Sequence, residues 1–80
     1  MIDNQLLEEL VVFAKTKTLA KTAEELHLTQ PSVTRGMQRL EEELGVTLFD
    51  RQPTRLRLTA TGELAAEKAV AVLAANRDLV

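Results

Sequence analysis

The sequence predicts a mainly α-helical fold, a winged helix-turn-helix with a three-helix core and a short β-hairpin wing, followed by a long linker helix. Three observations lead there. Apolar residues recur at helical spacing in three successive short stretches, the third opened by proline and closed by glycine. The period then shortens to that of strands on either side of a turn-forming segment, and what remains is alanine-rich and free of proline. Two helices joined by a three-residue turn and followed by a hairpin form the winged arrangement.

Leu6, Leu10 and Phe13 fall at i, i+4 and i+7 with Leu7 and Val11 beside them, and Asp3 stands at the N-cap position, which predicts a first helix over 4–15. Thr18 precedes a second stripe, Leu19, Ala20, Ala23 and Leu26, and predicts a helix over 19–26. His27, Leu28 and Thr29 break the period. Thr29 then caps a third helix over 30–44, whose stripe is Val33, Met37, Leu40 and Leu44. Pro31 fits only in the first turn, where its missing N–H has no intrahelical partner to lose, and Gly45 is the left-handed residue that ends the helix. Beyond it, 46–49 and 55–58 read as strands around the turn formers of 50–54. Thr59 is an N-cap for a final helix over 60–80. The chain thus divides into a winged helix-turn-helix over 1–59 and a linker and dimerisation helix over 60–80. Leu79 and Val80 bring no glycine, proline or polar stop, so the natural chain is expected to continue.

Eighty residues leave room for one domain, and 45% hydrophobic with 28% charged residues places it among ordinary globular proteins. The absence of cysteine excludes a disulfide scaffold and a thiolate zinc site. No apolar stretch approaches the roughly 18 residues of a membrane span, and the N-terminus lacks the basic region of a secretion signal, so a cytoplasmic location without membrane attachment is expected. One serine, one histidine and no tyrosine leave no convergent catalytic set, and neither enzyme activity, cofactor nor metal is expected. His27 reads as a turn residue and Met37 as core. Gly36, Gly45 and Gly62 are too far apart to form a phosphate-cradling loop.

A net charge of -2 argues against nucleic acid for the chain as a whole. Its distribution argues the other way. Between Pro31 and Thr59 every basic residue is an arginine, and eight of the twelve acids lie elsewhere. At about 100° per residue, the third helix puts its apolar stripe on one side and Pro31, Arg35 and Gln38 on the other, flanked by Ser32, Thr34 and Arg39. Arginine can bridge guanine and glutamine adenine, while Gln30 sits at the tip where free N–H groups face a phosphate. Glu41, Glu42 and Glu43 in the last turn should point away from an anion. In the hairpin, Arg51, Arg55 and Arg57 bracket the tip, and the last two alternate with Leu56 and Leu58. The competing reading is a winged-helix module that binds protein through the same exposed helix, which the acidic balance favours.

The run Ala23-Glu24-Glu25-Leu26-His27-Leu28-Thr29-Gln30-Pro31-Ser32-Val33-Thr34-Arg35 resembles the helix-turn-helix signature of LysR-type transcriptional regulators. Leu40-Glu41-Glu42-Glu43-Leu44-Gly45-Val46-Thr47-Leu48-Phe49-Asp50-Arg51 resembles that family's L-E-x-x-L-G-x-x-L-F-x-R, and Leu58-Thr59-Ala60-Thr61-Gly62 its L-T-x-x-G. The resemblance implies a bacterial regulator whose N-terminal domain binds promoter DNA, joined by the long helix to an effector-binding domain that this chain lacks. It places Gln30, Pro31, Ser32, Thr34 and Arg35 on the base-reading and backbone-contacting part of the recognition helix and Arg51, Arg55 and Arg57 on the wing. Three positions depart from the family pattern: Ala20 lacks a hydroxyl common near phosphate, Thr22 stands where alanine is usual, and Gly36 where a longer residue is usual. A single module makes few contacts, so a homodimer on double-stranded DNA with an interrupted inverted repeat is expected, and a higher oligomer for the full-length protein. Leu64, Lys68, Val72, Ala75 and Leu79 recur at three to four residues among small alanines and are the expected dimer seam.

Overall fold

The computed structural model describes residues 3–52 and 55–78. In chain order these form α1 (Asn4–Thr16), α2 (Leu19–Leu26), α3 (Gln30–Leu44), β1 (Phe49–Arg51), β2 (Leu56–Leu58) and α4 (Ala60–Asp78). All four helix starts carry the caps expected of them. The side chain of Asp3 accepts from the N–H of Gln5 (2.9 Å), Thr18 from Lys21 (3.1 Å), Thr29 from Ser32 (3.2 Å) and Thr59 from Gly62 (3.0 Å). The first three helices end on left-handed residues: Lys17 (φ 69°), His27 (φ 57°) and Gly45 (φ 68°).

The core is built around α1, which packs on α2, α3 and α4. Leu6, Leu10 and Phe13 meet Val33, Met37 and Leu40 of α3, Leu48 and Phe49 before and in the wing, and Ala66 of α4. Phe13 and Phe49 contact edge to face, 5.3 Å between ring centres at 83°. Helix α4 packs on α1 with Ala66 and Ala69 buried and Ala65, Leu73 and Asn76 half-buried, while its first turn sets Gly62 against Leu48 and Leu58 at the root of the wing. The Asn76 amide donates to Asn4 Oδ1 at 3.0 Å. Small residues let α4 lie close, and at Gly62 a Cβ would run into the Leu48 carbonyl.

The wing departs from the expected strands. The first begins at Phe49 rather than at 46, and Asp50 and Arg51, expected in the turn, pair with Arg57 and Leu56. The backbone of 46–48 is occupied otherwise: Val46 N–H caps α3 on the Glu41 carbonyl, and Leu48 bonds Glu41 Oε2 and the N–H of Thr59. Arg55 lies one residue outside β2, its carbonyl accepting the Gln52 N–H at 3.0 Å. Pro53 and Thr54 of the expected turn fall outside the described residues. Two apolar assignments also change. Leu44, counted in the α3 stripe, is 38% exposed because it lies in the last turn of α3 and borders an open groove beside Leu7 of α1 and Val72 of α4. Ala20 is exposed, and the inward position of α2 beside Ala23 is Thr22 instead.

Candidate nucleic-acid interface

Helix α3 turns Val33, Met37 and Leu40 inward and leaves Gln30, Pro31, Arg35, Gln38 and Arg39 exposed, with Ser32 and Thr34 half-buried. Gln30, Pro31, Thr34 and Arg35 border one shallow groove together with Leu19 of α2. No acid lines it. Ser32, Gln38 and Arg39 lie outside it, and Arg39 Nε reaches Glu43 one turn on at 3.4 Å, an exposed pair of little energetic weight. Glu42 and Glu43 are exposed at the far end of the helix. Glu41 is not merely solvated there. Its Oε2 accepts the N–H groups of Leu48 (2.9 Å) and Phe49 (3.1 Å), so the carboxylate ties the end of α3 to the root of the wing.

The wing arginines separate into two sets. Arg55 and Arg57 border a groove between α1 and β2, with Lys17 and Glu63 on its rim and Phe13, Leu56 and Leu58 beneath. Arg51 instead borders a groove with Glu41, Glu42 and Val46. The alternation expected of the second strand holds: Leu56 and Leu58 are half-buried and Arg57 is exposed. On α4, Leu64 and Val72 are 54% and 46% exposed, and Lys68 and Ala75 are exposed with them. Leu79 lies outside the described residues. Lys68 and Val72 also border a mainly apolar groove with Leu7 and Leu44.

One buried group of α1 is ionisable and is not part of its apolar stripe. Glu9 is 3% exposed, its Oε1 has no hydrogen-bond partner among the described residues, and it lies against Gly36 of α3, where a Cβ would collide with its carboxylate. Burial raises its pKa, the Gln5 side chain opposes the shift, and the charge of Asp3 adds to it. The signal was present in the spacing, because 6, 9, 10 and 13 share one helical face. Thr22 is likewise fully buried. Its hydroxyl donates to the Thr18 carbonyl at 2.7 Å and lies 2.8 Å from the Thr16 hydroxyl, which satisfies the polar atom that alanine would lack.

Residues 5–63 match the model of the family described as bacterial regulatory helix-turn-helix protein, lysR family. The chain belongs to the LysR family. Among curated relatives, the uncharacterised transcriptional regulator YcgK of Bacillus subtilis is 35% identical over 79 residues, which is 99% of this chain and 24% of YcgK. The LysR chain described here thus spans about a quarter of the length of the relatives it matches. Of solved structures, full-length OxyR C199D of Pseudomonas aeruginosa superposes with a TM-score of 0.92 at 32% identity, over 99% of this chain and 27% of that one. A CbnR DNA-binding domain solved with DNA superposes at 0.87 with 36% identity, over 96% of this chain and 90% of that one. The mainly helical winged architecture is therefore shared with LysR regulators. Among the described residues, no helix is long and apolar enough to cross a membrane, and no three His, Asp or Glu side chains cluster as a metal site.

Proposed function

We propose that this chain is the sequence-specific DNA-binding module of a bacterial, cytoplasmic LysR-type transcriptional regulator, with no enzymatic role. The observation that carries the reading is the acid-free groove of Gln30, Pro31, Thr34 and Arg35 at the exposed start of α3, on a chain similar along nearly its whole length to a domain solved with DNA. In this reading α3 enters the major groove, Arg35 and Gln38 reach base edges, and Ser32, Thr34 and Arg39 flank them toward the backbone. Arg51, Arg55 and Arg57 hold phosphates or the minor groove. The acids at the end of α3 point away from the duplex. Two copies joined through α4 would read the half-sites of an interrupted inverted repeat, and effector sensing would belong to a further domain of the full-length protein.

Selection from a randomised duplex library by wild type and Arg35→Ala tests the division of labour. Arg35→Ala is expected to cost about 1–3 kcal/mol and to relax preference at one base-pair position. An unchanged selection profile refutes the role of Arg35. Absence of duplex binding by wild type at low salt refutes the module itself and favours a protein partner for the same helix.

A further inference from the structure

We propose that Lys17, with Arg55 and Arg57, forms a phosphate grip for the DNA backbone, across the groove between the end of α1 and the wing. The proposal rests on the DNA-binding reading and adds a contact outside both recognition helix and wing. Three observations converge on it. Lys17, Arg55 and Arg57 border one groove whose only acid is Glu63, so cations outnumber the acid at its rim among the described residues. Lys17 is exposed and occupies the left-handed C-cap of α1 at φ 69°, a conformation glycine adopts without strain and lysine does not. Finally, residues 17–19 join the two surfaces. Leu19 borders the α3 groove and Lys17 the wing groove, so a backbone running from one to the other passes this corner.

In the free domain the ammonium is only loosely engaged. Lys17 Nζ donates to the Ala14 carbonyl at 3.3 Å, long for a charged donor, and it reaches an exposed carbonyl of the α1 terminus that water can equally serve. A phosphate oxygen offers full negative charge to the same three donors, and releases condensed counterions on binding. Simple capping of α1 is the competing role for Lys17, and it makes the opposite forecast for glycine at this position. Glycine restores the relaxed left-handed cap while removing the cation.

The test measures affinity for a random-sequence duplex over a salt series for wild type, Lys17→Gly, Lys17→Asn and Arg57→Ala, with thermal melts of each. Asparagine tolerates the left-handed conformation and carries no charge. Both Lys17 variants are expected to bind about fivefold to tenfold more weakly at 0.1 M salt and to lower the salt slope by about one. The melting temperature of Lys17→Gly should equal or exceed that of wild type. A wild-type slope in both Lys17 variants, with a lowered slope in Arg57→Ala, overturns the grip and leaves the DNA-binding reading intact. A lowered slope for Lys17 alone overturns the shared site. A wild type that binds no duplex overturns both.

Discussion

Glu9 Oε1 is the one buried side-chain polar atom among the described residues without a hydrogen-bond partner, and it lies against Gly36 of α3. With a folded pKa raised above the ordinary 4.5, the native state keeps its proton at pH values where the unfolded chain has lost it. The fold therefore has its full stability from this group below about 4.5 and loses part of it as pH rises through the folded value. Glu9→Gln should be more stable than wild type at pH 7.5, by about 1 kcal/mol, with the difference shrinking toward pH 4.5. Urea melts at the two pH values decide it; an equal difference at both would mean that the carboxyl does not titrate inside the fold. Gly36 is the other half of the contact. Gly36→Ala should destabilise despite alanine's better helix propensity, and pairing it with Glu9→Ala should remove most of the loss, read as a coupling energy in the double-mutant cycle. A helical wheel places both residues on facing sides, yet only the approach of α1 to α3 shows that one fills the space the other leaves.

Between elements, the polar atoms that join them were the part a periodicity reading could not supply. Helix limits were legible because each rests on a local cap, Thr18, Thr29 or Gly45, whose partners lie within four residues. The wing starts three residues later than the spacing predicts because its start is set from afar. Glu41, seven residues earlier, takes the N–H of Leu48, and Thr59, eleven later, donates its own N–H to the Leu48 carbonyl, leaving no strand partner before Phe49. The three glutamates of 41–43 look alike in sequence, and only one turns inward. Glu41→Ala should leave two N–H groups without their charged acceptor and cost about 1.5–3 kcal/mol, whereas Glu42→Ala should stay within about 0.5 kcal/mol. Equal melting temperatures for the two variants would show that the wing is held by Leu48, Phe49 and Gly62 packing alone.

At the scale of the molecule, α4 presents two faces, and the sequence showed only one of them. The small-residue side is covered, Ala66 and Ala69 where α4 packs on α1 and Gly62 by Leu48 and Leu58, while Leu64, Lys68, Val72 and Ala75 remain exposed. Spacing alone could not say which stripe packs on the chain itself, since both recur at three to four residues; the smaller one wins because it allows the closer approach. The outward stripe continues into the apolar groove where Val72 and Lys68 meet Leu7 and the exposed Leu44, a surface suited to the same helix of a second copy. A two-fold pair through this face would bring each α4 against the other and carry two recognition helices to one side of the duplex. Val72→Glu would place like charges near that axis in both copies and leave the intramolecular contact of Ala69 untouched. Sedimentation across a concentration series, with and without a palindromic duplex, should show a concentration-dependent dimer for wild type and a monomer for Val72→Glu, with operator affinity reduced and helical content unchanged. The helical content separates a lost interface from a lost fold. A wild-type chain that remains monomeric and binds the palindrome as one copy per duplex would exclude α4 as the dimer seam within these 80 residues.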